Sequence, residues 1–422
     1  MLRGWRAHPV GGVPDGPAGR CAGSGAARNV EQVTSSTLEI PSGESDFDPE
    51  CGDDLAAAVV DHAALAANVR TLRSTAAAPV MAVVKADAFG HGAVPVARTC
   101  LAAGATWLGV TRISEAVALR RAGLTAPILA WLHDPRLAAL ALRHDIDLSV
   151  SSPHDLAIVA GQGGAVPVRV HLKLDTGLHR SGCPAEEWAG LVRSAADLER
   201  AGAVRVAGIW SHLSHGGEPG AVATHRQLLM FRIGLDLARG AGLRPDVVHL
   251  ANTAATQANP ALTRHDLVRV GAGLYGIGTG LTPAMTLTSR VTQVRHAPAG
   301  RGVGYDHLHR TTRSTNLALV PLGYADGIPR AATGRAEVWV GGRRAPLIGW
   351  VSMDQIVIDA GPQRAAVGDE VVIFGNGDRG EPTARDWARW SGTNEHEIYT
   401  GIGARVPRRH VNQAAAIERP SA

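Results

Sequence analysis

Lysine stands at only two positions in this chain, Lys85 and Lys173, although lysine and arginine together number 42. Arginine stays protonated under all ordinary conditions. A lysine amine can be desolvated, lose its proton and attack a carbonyl carbon. Lys85 follows the apolar run Val80-Met81-Ala82-Val83-Val84 and precedes Ala86-Asp87-Ala88-Phe89-Gly90-His91-Gly92. That pattern reads as a buried strand ending in a tight turn, with the amine at its mouth. Lys173 on its own is as well explained by chance survival. Lys85, at a strand end, points to amine chemistry.

An amine at a strand end needs a frame. Apolar runs at Val80–Lys85, Trp107–Thr111, Pro127–Leu132, Ile146–Val150, Val168–Leu174, Val206–Ser211, Val247–Ala251 and Leu267–Val270 alternate with helical patterns such as Asp61–Thr75, Ser114–Ala122 and Glu186–Ala201. Short continuous apolar strands between helices indicate a parallel sheet covered on both faces. The repeat is that of a (β/α)8 TIM barrel, class α/β. An open doubly wound sheet is the competing frame, but no glycine-rich dinucleotide fingerprint follows the first strand. In a barrel, reactive groups collect where strands end. Here the strand ends carry Lys85, then Lys173 with Arg180 beyond it, His212, Asn252-Thr253, and Arg269 leading into Gly271-Ala272. A hydroxyl and glycine-flanked backbone amides after the last two strands suit a phosphate. An amine and a phosphate cradle in one mouth suggest pyridoxal phosphate held as a Schiff base.

Past about Thr282 the pattern changes to short strands, at Leu287–Val294, Leu317–Val320, Ala336–Val340, Leu347–Val351, Ile356–Ile358 and Val371–Phe374, with Gly341-Gly342 as a hairpin turn. The expected division is an extension over 1–54, a barrel over 55–282 and a mostly-β domain over 283–422. The first block is rich in Gly, Pro, Ala and Ser without periodicity, and reads as a disordered extension rather than a secretory signal. A net charge of +4 with scattered arginines gives no nucleic-acid footprint. No apolar run is long enough to span a membrane. Four cysteines without paired spacing, and no metal-type cluster, suggest a cytoplasmic protein.

The sequence also resembles a known family. Ala82–Gly92 (AVVKADAFGHG), His171–Gly182 (HLKLDTGLHRSG), His249–Ala255 (HLANTAA), Arg269–Gly276 (RVGAGLYG), Gly323–Gly327 (GYADG), Ser352–Gln355 (SMDQ) and Arg405–Arg408 (RVPR) occur in order. Together they are similar to the bacterial alanine racemases that use pyridoxal phosphate, over about Leu55 to Val411. The resemblance implies that Lys85 carries the cofactor and acts as one base. It implies that Tyr305, from the partner subunit of a homodimer, is the other. It places Arg269 at the pyridine nitrogen, His212 near the ring, and Asn252, Thr253, Gly271 and Ala272 at the phosphate. Arg180 would face the phenolic oxygen and the substrate carboxylate, with the Met353 amide. Lys173 would be a carbamylated lysine holding Arg180. Two bases on opposite faces of one carbon are what racemisation requires. D-alanine for peptidoglycan is the implied product.

Each residue also has a purely structural reading: His212 as a hydrogen-bonded strand-end histidine, Arg269 paired with Asp266, Tyr305 and Tyr324 as packed tyrosines, His179 as a solvated loop residue. Several positions depart from the family pattern. Phe89 and His396 stand where tyrosines are usual, Gly304 and Asp306 flank Tyr305 in place of Ser and Gly, and Trp350 replaces an arginine. These departures bear on substrate preference, leaving a racemase of another small amino acid such as serine as the alternative. A non-catalytic single-barrel protein would lack the β half. A decarboxylase of this architecture would carry a cysteine in the second half, and none follows Cys183.

Overall fold

The computed structural model describes residues 55–362 and 365–414. The expected extension over 1–54 lies outside the described residues. The described residues begin with β1 (Ala56–Asp61), then build a ring of β2 (Val80–Val83), β3 (Trp107–Val110), β4 (Ile128–Ala130), β5 (Asp147–Val150), β6 (Val168–Lys173), β7 (Val204–Trp210), β8 (Val247–His249) and β9 (Val268–Val270). These strands form an eight-stranded sheet in which every pairing is parallel. The ring closes between β8 and β9 through a parallel bridge of His249 and Leu267, and Arg269 N donates to Ala251 O at 2.9 Å. The fold is therefore a (β/α)8 barrel. Its strands are apolar and buried because helices cover their outer faces.

The first helix, His62–Ala76, shows how local sequence sets an element. Asp61 caps it by accepting from Ala63 N at 2.8 Å. Leu65, Val69 and Leu72 form its buried stripe. It ends at Ala77 in the left-handed region, φ 48°.

The second half is a nine-stranded sheet, in spatial order Gln293–Ala297, Thr315–Val320, Ile356–Gly361, Arg343–Ile348, Glu337–Val340, Glu370–Phe374, Met285–Arg290, β1 and Arg408–Val411. The Gly341-Gly342 turn joins two of these strands with φ 56° and 79°, and Val340 opposes Arg343. That is the conformation a two-residue hairpin requires and glycine permits.

Some expectations are corrected. Residues 56–61 were expected in the barrel block, but β1 pairs antiparallel with Met285–Arg290 and parallel with Arg408–Val411 in the β sheet. From Ala58 to Asp61 buried and half-buried residues alternate, which suits a sheet with two unlike faces. The strand expected over Leu287–Val294 is two strands, because Val291 N and Thr292 N turn to Asp369 O and Leu319 O on different neighbours. β2 stops at Val83, two residues before Lys85.

Candidate active site

Lys85 opens the turn that follows β2. Ala86, Asp87, Ala88 and Phe89 all have left-handed φ, from 51° to 54°. Without glycine each such residue costs about 1–2 kcal/mol. The surroundings hold them there. Ala86 N donates to Glu115 Oε1 and Ala93 N to Asp87 Oδ1, both at 2.7 Å. Arg408 Nε, from the β domain, donates to Gly90 O at 2.9 Å. Gly90 has φ 79°, and a Cβ there would stand 2.6 Å from Tyr399 O, so only glycine fits. The strain fixes where Lys85 leaves the backbone. Burial first, and then the charge of Arg180, hold its amine below the usual lysine range, against the opposing pull of Glu115.

Lys85 lines a cavity of about 600 Å³ at the strand ends. Lys173, Arg180, His212, Asn252, Thr253, Arg269, Gly271 and Ala272 line it too, so all the expected barrel residues converge. Phe89 and His396 form one wall, and their rings stand 5.6 Å apart. Tyr305 and Met353 do not line the cavity of their own chain. Both sit on the β domain, with Tyr305 73% exposed and Met353 54% exposed.

One corner of the cavity suits an anion. Asn252 caps the short helix Thr253–Ala258, its Oδ1 accepting from Ala255 N at 3.0 Å, which leaves the amide NH2 as a donor. Thr253 Oγ1 accepts from Gly271 N and Gly273 N, each at 3.2 Å, so its own O–H proton is free for a ligand. The Gly271 amide is thus committed to Thr253. Ala272 closes the corner.

The cavity also has a cationic part. Arg269 is 4% exposed and faces no carboxylate among the described residues. Its NH2 lies 2.8 Å from Ser211 O, 3.0 Å from Leu250 O and 3.2 Å from His212 Nδ1. Asp266, its expected structural partner, instead accepts from Val248 N. Burial lowers the Arg269 pKa to about 9, so it remains charged at neutral pH. A guanidinium only donates, so His212 Nδ1 must accept and its proton sits on Nε2. Burial, then Arg269, Arg180, Lys173 and Lys85, push His212 down to about 3 and keep it neutral. The Lys173 amine donates to Ser181 Oγ and lies 4.5 Å from the Trp210 ring centre. Burial, then Arg269 and Arg180, bring its pKa down to about 8. His179 is exposed and lies outside the cavity.

The β-domain motifs are knitted to each other. Tyr324 N donates to Ser352 O at 3.0 Å, and Ala325 N to Met353 O at 2.9 Å. Arg405 bridges Asp326 and Asp354, each at 2.8 Å. These contacts fix the exposed loops that present Tyr324 and Met353. The sequence reading missed Trp131, Trp210 and Ser181 in the cavity, and His171 and His249 below it. A signal was present. His171 and Lys173 are two apart in one strand, and so share a face.

A closed parallel barrel with an amine and an anion corner in its mouth, joined to a β domain, defines a class of barrel enzymes that act on amino groups. The chain belongs to the alanine racemase family. The models of the family's N-terminal and C-terminal domains match residues 60–279 and 284–410. It is 48% identical over 375 residues to an alanine racemase of Frankia casuarinae, covering 85% of this chain and 97% of that one. The solved structure of alanine racemase from Streptomyces coelicolor matches with a TM-score of 0.82 at 48% identity, over 85% of this chain and 98% of that one. A histidine racemase from Leuconostoc mesenteroides shares the fold with a TM-score of 0.77 at 27% identity, over 85% and 98%. The protein is therefore an amino-acid racemase, an isomerase.

Proposed function

We propose that the protein interconverts L- and D-alanine with pyridoxal phosphate bound at Lys85, as a cytoplasmic homodimer with shared sites that supplies D-alanine for peptidoglycan. One observation carries this reading: the Lys85 amine, held below its usual proton affinity, shares one cavity with the Asn252–Thr253–Ala272 anion corner. Pyridoxal phosphate, when bound, supplies the carbonyl for the amine and the sink for the electrons released at Cα.

The chain's own residues then divide the work. Asn252, the Thr253 hydroxyl and the Gly271–Ala272 segment would hold the phosphate. Arg269, a pure donor, would disfavour protonating the ring nitrogen. His212 would offer its Nε2–H to the bound group. Lys85 Nζ moves the Cα proton on one face. The Tyr305 phenol of the partner subunit moves it on the other, a reading its exposure supports. Arg180 and the Met353 amide hold the substrate carboxylate. Lys173, with a pKa of about 8, keeps a neutral fraction that can take up carbon dioxide, and the carbamate would pair with Arg180.

Incubating the purified protein with each L-amino acid, followed by chiral analysis, tests the substrate. D-Alanine should dominate. Predominant D-serine would favour the alternative substrate, for which the Phe89–His396 wall is the relevant departure. Borohydride reduction and peptide mapping should label Lys85. A label on Lys173 would overturn the assignment.

A further inference from the structure

Barrel interiors are usually filled by layers of branched aliphatic side chains. This one carries a polar column. Arg169, His171 and Lys173 alternate along β6, so all three face inward at successive depths. Asp147, on β5, is 1% exposed and has both oxygens engaged. Its Oδ1 accepts from Arg169 Nε at 2.6 Å, and its Oδ2 lies 3.1 Å from His171 Nε2. His171 Nδ1 lies 2.9 Å from His249 Nε2. His249 Nδ1 lies 3.1 Å from Arg269 NH1. The column crosses the closed core and ends on the arginine of the cavity.

Both ends of this column fix its protons. Arg269 has no acceptor, so His249 Nδ1 must accept, and the His249 proton sits on Nε2. That proton points at His171 Nδ1, so the His171 proton also sits on Nε2. It is donated to the Asp147 carboxylate, which only accepts. Every donor between Arg269 and the Asp147 carboxylate therefore points away from Arg269. A proton added to His171 would force an N–H at Nδ1, reverse His249, and set two donors against each other at Arg269.

The fold makes room for this. β7 has one extra residue, Ala207, opposite β6, so that Gly208 comes to face His171. A Cβ on Gly208 would stand 2.2 Å from His171 Nδ1. The Trp210 ring stacks on His249 at 5.5 Å and carries the Arg269 guanidinium at 4.7 Å, and Asp147, His171 and His249 are all buried. Burial, then the Arg269 charge, drive His249 well below the ordinary histidine range. Burial alone would raise the Asp147 pKa, but the hydrogen bond from His171 and the Arg169 guanidinium hold it below its usual value.

We propose that Asp147, His171 and His249 are positioning residues that form a one-way hydrogen-bond relay, which delivers the carboxylate's polarisation to Arg269 and keeps that guanidinium charged and aimed into the cavity. The inference deepens the cofactor reading above and rests on it for the destination of Arg269. A carboxylate directly on Arg269 would supply the same counter-charge. It would also place an acid–base group beside the ring nitrogen. The relay supplies the polarisation from two imidazoles away.

Nitrogen-15 NMR of histidine-labelled full-length protein tests it. At neutral pH His171 and His249 should both be neutral with the proton on Nε2. A proton on His249 Nδ1, or an imidazolium at either site, overturns the relay. Three variants add a functional readout. His171→Gln can still accept and donate, and should keep pyridoxal phosphate affinity within about twofold. His171→Phe removes the link and should weaken it about tenfold, the scale of one charge-assisted hydrogen bond. Asp147→Asn, close in size, should cause the same loss and mix the His171 tautomers. If Asp147→Asn leaves both the tautomers and the affinity unchanged, the relay is wrong. Labelling of Lys85 by borohydride reports on the cofactor reading separately, so the two failures are distinguishable.

Discussion

Phe89 from the barrel and His396 from the β domain face each other across the cavity wall, ring centres 5.6 Å apart. The Phe89 Cζ atom lies 3.4 Å from where a Cβ on Gly271 would stand, against the anion corner. A phenyl ring there can donate nothing. Phe89→Tyr should therefore tighten pyridoxal phosphate binding about tenfold or more, since a hydrogen bond to a charged group contributes about 1.5–3 kcal/mol. Equilibrium dialysis of the two proteins checks this. Equal affinities would show that the new hydroxyl finds no phosphate.

His396 should strengthen cofactor binding only in acid. Burial, and then the nearby Lys85 charge, lower its pKa below 6.5, with Glu395 opposing. It is then neutral at pH 7 and gains a positive charge only below the ordinary histidine range. The part of cofactor affinity that depends on His396 should vary with pH only below about 6.5. It should vanish in His396→Gln, measured as dissociation constants from pH 5 to 8.

Tyr305→Phe should lower racemisation by about 10²–10⁴-fold, the usual contribution of a general acid–base group. In deuterated water, Cα exchange from one alanine enantiomer should survive while racemisation collapses. Mixing Lys85→Ala chains with Tyr305→Phe chains should restore part of the activity, because one of the mixed sites regains both groups. Absence of rescue, with subunit exchange verified, would count against shared sites.

Acid should destabilise the fold through buried neutral histidines. His91 is fully buried, its Nδ1 lies 3.0 Å from both Ala88 O and Phe89 O, and its Nε2 has no hydrogen-bond partner among the described residues. Burial is the main reason its pKa falls to about 4. The unfolded chain takes up this proton near pH 6.5, the folded chain only near 4. Stability from this group is therefore complete above 6.5 and lost as pH falls towards 4. The loss is about 3 kcal/mol at 1.36 kcal/mol per pH unit between those values. Urea unfolding at pH 7 and pH 4.5 should show it, and His91→Leu should flatten that limb.

Gly208→Ala should destabilise the barrel by about 1–3 kcal/mol, the range for overpacking a tight core. The added methyl would meet the His171 ring at 2.2 Å. Calorimetric melting measures the loss. A variant that melts with the wild type would mean the ring has room to move.

The sequence by itself determined the barrel, because continuous apolar runs and intervening helical stripes are local patterns that the buried parallel sheet imposes on each strand. It also marked the mouth residues. Lys85, His212, Thr253 and Arg269 stand where apolar runs stop, and a strand's end is visible in the chain. The tertiary structure alone decided what crosses between elements. β1 joins a sheet built from residues more than two hundred positions later, since β pairing carries no local record of its partner. The left-handed turn after Lys85 has no glycine in its first four residues, so nothing in the sequence marks it. Glu115 and Arg408 from distant elements hold it. The Asp147–His171–His249–Arg269 column is equally non-local. The sequence puts His171 on one face of its strand with Arg169 and Lys173, but nothing in it pairs that face with Asp147, His249 and Arg269 until closure of the ring brings four strands to one axis. Their proton directions then follow from the carboxylate at one end and the guanidinium at the other.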